Sequence, residues 1–275
     1  MIPLRFCFVL LFAIGAASLR AAEPTGPQLG LQSWTCRNMT FEQTVEFAAK
    51  HGLKYIEFIS PAHLNQDAPA EESLKKKALL DSKGLVAYSY GVMRPGTNKA
   101  ANRKLFEFAK LMGMKVIAVE PPNQAAIWDD VEALVKEFDI KVAIHNHGTG
   151  TVYGDPATVK QVLATRDHRI GVCLDVGWVT AAGFDAAKIF REYGDRVYDI
   201  HFKDKKVEKS ADGKDVVLDV DLGTGQANYD GLFAEIKKSG WSGVMAIETD
   251  NKAFQSDPNQ MVANGQAFFA KMMAK

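Results

Sequence analysis

KVAIHNH, residues 141–147, runs from an apolar stretch into a cluster of polar side chains. The same order returns in VIAVE (116–120), RIGVCLD (169–175), VYDIHFK (197–203) and GVMAIE (243–248). Each is a short, nearly continuous apolar run, as expected of a strand buried on both faces in a parallel sheet. Working outward, the chain gives strands at 29–34, 55–60, 85–92, 116–121, 141–147, 170–178, 197–204 and 243–250. Helical patterns fill the intervals at 41–51, 71–83, 99–112, 128–138, 156–165, 186–193, 229–239 and 258–273. Glycine closes several helices, as in HGLKYIEF (51–58), LMGMKVIAV (111–119) and KSGWSGVMAIE (238–248), where it can take the left-handed cap and turn the chain into the next strand. Strands alternating with helices imply parallel pairing and right-handed crossovers. Eight such units have the size of a single (β/α)₈ TIM barrel, expected over residues 23–275. The alternative, a doubly wound open sheet, lacks a Gly-rich dinucleotide fingerprint after the first strand.

Residues 1–22 read differently. Arg5 precedes an apolar run at 6–17, followed by small residues up to Ala22. This is the pattern of a signal peptide, too short to span a bilayer comfortably, with cleavage expected after Ser18 or Ala21. An exported, periplasmic or secreted protein is therefore expected, with no stable membrane insertion after the signal is removed. The whole chain has 275 residues, 47% of them hydrophobic, with 33 basic and 33 acidic side chains. Removing 1–22 takes Arg5 and Arg20 with it and leaves 31 basic against 33 acidic residues. This balance excludes a typical nucleic-acid binder, which needs a basic surface, and the apolar content excludes dominant disorder. Of the three cysteines, Cys36 and Cys173 lie beyond the signal. They fall far apart around an eight-stranded barrel, so no disulfide is expected.

One connection, 207–228, is long and charged, with an alternating stretch at 216–222 and an ADG turn. A small hairpin over the barrel mouth is expected there.

The polar residues at the strand ends decide the chemistry. Glu120, His145 with His147, Asp175, His201 with Lys203, and Glu248 with Asp250 come from five successive strands at one height. Buried carboxylates and imidazoles are costly unless they are paired or bind a metal. Mixed imidazole and carboxylate donors suit Mn²⁺, Co²⁺, Fe²⁺ or Zn²⁺. Residues two apart on a strand point the same way, so His147, Lys203 and Asp250 are expected to face substrate from one pleat above the metal. Asn146 and Asp204 point oppositely and are expected to orient their neighbours.

Together, LGLQSWTCRNMTFEQTVEFAAKHGLKYIEF, VAIHNHG, RIGVCLDVGW, DRVYDIHFKD and LGTGQANYDGLFAEIKKSGWSGVMAIE resemble the xylose isomerase-like TIM-barrel superfamily of sugar isomerases, epimerases, inosose dehydratases and apurinic endonucleases. The resemblance implies one divalent metal, with Asp175, His201 and Glu248 on ligand positions. His145 stands where many epimerases carry a glutamate that is both ligand and proton acceptor; histidine still ligates, but the epimerase pair of acids is incomplete, and Glu120 is left as base or fifth ligand. Trp178 stands where many relatives carry a histidine. It cannot ligate, which disfavours a multi-metal nuclease, and it is expected either to stack on a sugar or to pack as a core tryptophan beneath the loop.

The expected function is that of a metal-dependent sugar isomerase or epimerase. It would abstract a proton α to a keto-sugar carbonyl through an enediolate, with Glu120, His147 and Lys203 as catalytic groups and Trp178 and Asp250 contacting substrate. The expected partner is a small-molecule carbohydrate, with no nucleic acid and self-association left open. Two alternatives stay open: β-elimination from a 3-keto-glycoside by a lyase or dehydratase at the same site, and a non-catalytic sugar-binding barrel.

Overall fold

The computed structural model describes residues 25–275; the expected signal peptide at 1–22 lies outside the described residues. Eight strands close into one parallel barrel: β1 (Gln28–Gln32), β2 (Tyr55–Phe58), β3 (Val86–Met93), β4 (Val116–Val119), β5 (Lys141–His145), β6 (Ile170–Asp175), β7 (Val197–Phe202) and β10 (Val244–Ile247). The strand order runs β1-β10-β7-β6-β5-β4-β3-β2, so the five strands ending in polar residues are adjacent. Register aligns Asp175 with His201, and His201 with Ala246. β4, β6, β7 and β10 are buried throughout, because helices cover their outer faces.

The surrounding helices are α1 (Phe41–Lys50), α2 (Ala70–Ser82), α3 (Lys99–Met112), α4 (Ala125–Phe138), α5 (Pro156–Thr165), α6 (Val176–Ala181), α7 (Ala186–Tyr193), α8 (Tyr229–Ser239), α9 (Lys252–Ser256) and α10 (Asn259–Ala274). Their starts are written in the sequence. Thr40 and Gln43 form a reciprocal capping box on α1, and Asn98, Asp155, Asp185 and Asn228 accept backbone N–H groups at the starts of α3, α5, α7 and α8. Gly113 and Gly240 close α3 and α8 at φ 77° and 67°.

The excursion after β7 is a hairpin, β8 (Asp204–Lys209) against β9 (Asp215–Val220). It begins at Asp204, earlier than its sequence suggested. Asp204 Oδ2 accepts from Gly223 N (3.0 Å) and Gly225 N (2.8 Å), while Oδ1 accepts from Lys205 N (3.0 Å) and Ala227 N (3.2 Å). That one carboxylate gathers the return loop. Two further corrections concern strand ends. β5 stops at His145, leaving His147 in the loop, and β6 stops at Asp175, where α6 begins. Cys36 and Cys173 are both free and buried. Among the described residues, no helix is long and apolar enough to cross a membrane.

Candidate active site

The C-terminal ends of β5, β6, β7 and β10 bring His145, Asp175, His201 and Glu248 together. One nitrogen or oxygen from each lies within 4.8 Å of the others, and all four residues are buried. His201 Nδ1 is 2.9 Å from Glu248 Oε2, 3.0 Å from His145 Nε2 and 3.7 Å from Asp175 Oδ2. Asp175 divides its two oxygens. Oδ1 accepts from Trp178 N at 2.8 Å and so caps α6, which leaves Oδ2 for the cluster. Asn146 braces this corner as its parity suggested, donating Nδ2–H to Asp175 O (3.1 Å) and accepting from Asp175 N (3.0 Å).

Asp175 Oδ2 and Glu248 Oε2 are buried without a hydrogen bond of normal geometry. Lys203 Nζ lies 3.0 Å from each, and 3.0 Å from Asp250 Oδ2. Burial alone would raise the carboxyls of Asp175 and Glu248, but the Lys203 ammonium holds both below the usual carboxylate range. Burial likewise opposes the charge on Lys203, and the surrounding carboxylates more than restore it. Burial pushes His145 down, keeping its imidazole neutral. Two converging imidazoles and two unsatisfied carboxylate oxygens suit one divalent ion of the borderline transition series. Lys203 Nζ thus sits among three carboxylates, those of Asp175, Glu248 and Asp250.

Above the cluster, His147 Nδ1 lies 2.9 Å from Glu120 Oε1. Arg94 donates to Glu120 Oε2 at 3.0 Å. Burial raises Glu120, but His147 and Arg94 outweigh it and keep the carboxylate low. Glu120 thus turns to His147 and Arg94, away from the four-donor cluster. The His145 and His147 rings are 4.4 Å apart. A cavity of about 220 Å³ opens here, lined among others by Trp34, His145, His147, Glu248 and Asp250. Asp250 Oδ1 accepts from Trp34 Nε1 at 3.0 Å, and its Oδ2 faces Lys203 and Lys205. Trp178 is outside this lining. Lys205 Nζ sits 3.8 Å from its ring centroid, and Gly148 packs against the same indole. The aromatic side chain that reaches the cavity is Trp34.

Sequence reasoning passed over Glu57 and Asp199. Both are fully buried beneath the cluster, Glu57 in β2 and Asp199 in β7. Their signal was a charged residue inside an apolar strand, YIEF and VYDIHF, rather than at its end. Glu57, Cys173, Asp199 and His201 form a second grouping within 4.8 Å. Burial pushes the Cys173 thiol well up, and burial with the facing Glu57 charge does the same to Asp199. His201 belongs to both groupings, and through its Nε2, 3.2 Å from Glu57 Oε1, this layer backs the four-donor cluster.

Residues 45–272 match the family model described as xylose isomerase-like TIM barrel. An inosose dehydratase of Lacticaseibacillus casei is 22% identical over 303 residues, covering 94% of this chain and 97% of that protein. The rhizopine catabolism protein MocC of Rhizobium meliloti is 22% identical over 155 residues, covering 53% of this chain but only 47% of its own length. Among solved structures, an uncharacterised protein from Parabacteroides distasonis has a TM-score of 0.69 at 26% identity, over 89% of this chain and 98% of that one. The IolI protein with a bound zinc atom has a TM-score of 0.67 at 15% identity, over 89% and 97%.

Proposed function

The chain belongs to the xylose isomerase-like TIM barrel family, and from that premise we propose a divalent-metal-dependent enzyme that removes a proton α to the carbonyl of a keto-sugar. One observation carries the reading. His147, paired with Glu120, lines the same cavity as His145 and Glu248 of the four-donor cluster, and its ring lies 4.4 Å from that of His145. His145, Asp175, His201 and Glu248 would hold a divalent ion (Mn²⁺, Co²⁺, Fe²⁺ or Zn²⁺), which would supply Lewis acidity worth several kcal/mol toward charge on a substrate oxygen; zinc is bound in the structurally similar IolI protein.

This chain's own residues do the rest. Glu120 accepts a hydrogen bond from His147 Nδ1–H, which leaves Nε2 as the basic nitrogen, and the carboxylate stabilises the imidazolium that forms. Lys203 offsets the charge of Asp175 and Glu248. Trp34 and Asp250 form the opposite wall. Arg94, Lys203 and Lys205 each pair with a carboxylate, a pattern that favours an uncharged sugar over a phosphorylated one. Export, expected from residues 1–22, fits the same preference; recovering mature protein from outside the cytoplasm with its N-terminus near residue 22 tests it.

A second reading has its own support. Epimerisation needs proton donors on two faces, and Asp250, held down at about 2 chiefly by the two lysines against the pull of burial, is a poor acid. A single shuttle, His147, serves elimination as well as isomerisation: it takes the α proton and returns it to the departing β-oxygen. Similarity to an inosose dehydratase supports that outcome. The test is to incubate metal-loaded protein in D₂O with keto-sugars, inososes and 3-keto-glycosides. Deuterium incorporation into a sugar that loses no other atoms indicates isomerase chemistry, and release of water or aglycone indicates a lyase. Sugar binding with neither overturns the enzyme reading and leaves a sugar-binding barrel.

A further inference from the structure

We propose that Glu57 is the positioning residue that fixes His201 as a ligand through Nδ1, an inference that rests on the metal-centre reading above. The two imidazoles of the cluster differ in support. His145 Nδ1 is buried without a partner. His201 Nε2 lies 3.2 Å from Glu57 Oε1. A carboxylate oxygen only accepts, so Nε2 carries the proton and Nδ1 is the atom presented to Glu248, His145 and Asp175. This holds whether or not Nδ1 is itself protonated before an ion displaces that proton.

Glu57 is in turn held. Gln32 Nε2 donates to the same Oε1 at 2.8 Å, and Gln32 Oε1 accepts from Trp34 N at 2.7 Å. Ring orientation at His201 is therefore tied, through Glu57 and Gln32, to the backbone of the residue whose indole walls the cavity. Glu57 and Gln32 pair in register on β2 and β1, and neither side chain is exposed. Partners of this kind typically change metal affinity by about 10–100-fold when removed.

The test uses Co²⁺ titration of wild type and Glu57→Gln, with Glu57→Leu as the stricter variant, alongside ¹H–¹⁵N imidazole spectra of the Zn²⁺-loaded wild type. Glu57→Gln is expected to bind Co²⁺ about 10-fold more weakly and Glu57→Leu up to about 100-fold more weakly. The wild-type spectrum is expected to show a slowly exchanging, downfield His201 Nε2 proton that moves upfield in Glu57→Gln. Wild-type Co²⁺ affinity in a folded Glu57→Gln, or a His201 proton found on Nδ1 in the Zn²⁺-loaded wild type, overturns the inference. The spectrum needs no variant, so the inference stays open to refutation even if both variants fail to fold. Absence of any Co²⁺ binding by the wild type overturns the metal reading itself, a failure distinct from the first.

Discussion

His147 joins the two sets of groups on which the proposed chemistry depends: its Nδ1 lies 2.9 Å from Glu120 Oε1, and its side chain lines the cavity. A positioned base typically contributes about 10²–10⁴-fold in rate. His147→Ala is therefore expected to slow substrate deuterium exchange by about that factor while leaving metal content unchanged, and Glu120→Gln should fall between it and wild type; equal loss of metal and activity would show that His147 acts as a ligand instead. Asp250 gives a second test. Its carboxyl moves from 3.8 free to about 2 in the fold, burial opposing the shift and Lys203 and Lys205 producing it. A group held down in the folded state stabilises it above its unfolded value, and that contribution disappears as the pH falls through the folded value. The stability gap between wild type and Asp250→Asn should thus be present at about pH 5 and shrink toward about pH 2; with the side chain 37% exposed, solvent screening keeps it to about 1 kcal/mol. A gap independent of pH in denaturant titrations contradicts the pairing. At this scale the sequence was informative where polarity interrupts a strand's end, as at Asp175 and His201. It was silent where only the third dimension brings partners together: Arg94 reaches Glu120 across 26 residues, and Trp34 reaches Asp250 across 216.

The elements show how local rules place those side chains. Helices α3, α5, α7 and α8 span the ranges read from the sequence pattern, 99–112, 156–165, 186–193 and 229–239, because their caps are contacts within a few residues. Two helices were missed, α6 and the short α9; α6 follows an apolar run that reads as continued strand, and what ends β6 is Asp175 accepting Trp178 N. A member of the four-donor cluster and the cap of α6 are thus one side chain. The hairpin was legible from its alternation and turn, but not the reason it stays in place. Asp204 accepts four backbone N–H groups, those of Lys205, Gly223, Gly225 and Ala227. Unpartnered buried donors cost about 1–3 kcal/mol each. Of the four, Lys205 is buried, Gly225 and Ala227 half-buried and Gly223 exposed, so Asp204→Ala is expected to lower stability by about 1–3 kcal/mol, read from the denaturation midpoint; an unchanged midpoint would mean that the loop is held elsewhere.

For the molecule as a whole, the barrel followed from eight repeats of one unit, a periodic signal that survives local errors in strand ends. Closure also accounts for the thiols. Cys36 follows β1 in a short 3₁₀ turn and Cys173 lies within β6, both fully buried, and burial pushes Cys36 up to about 12. Neither thiol should react with a disulfide reagent in the native protein, and both should react after denaturation without reduction; a crosslink between them would refute the strand placement. The inward layer of Glu57 and Asp199 was harder to read, since a charged residue in mid-strand becomes meaningful only when barrel closure brings Glu57 of β2 against His201 of β7. The account as a whole stands on the four converging strand ends. Its most direct test is the metal content, by elemental analysis, of the purified protein after equilibration with Mn²⁺ or Zn²⁺ and removal of free ion, beside the Asp175→Ala, His201→Ala double variant. The expected result is one ion per wild-type chain and none in the folded double variant; retention of the ion by the double variant at wild-type stoichiometry contradicts the account.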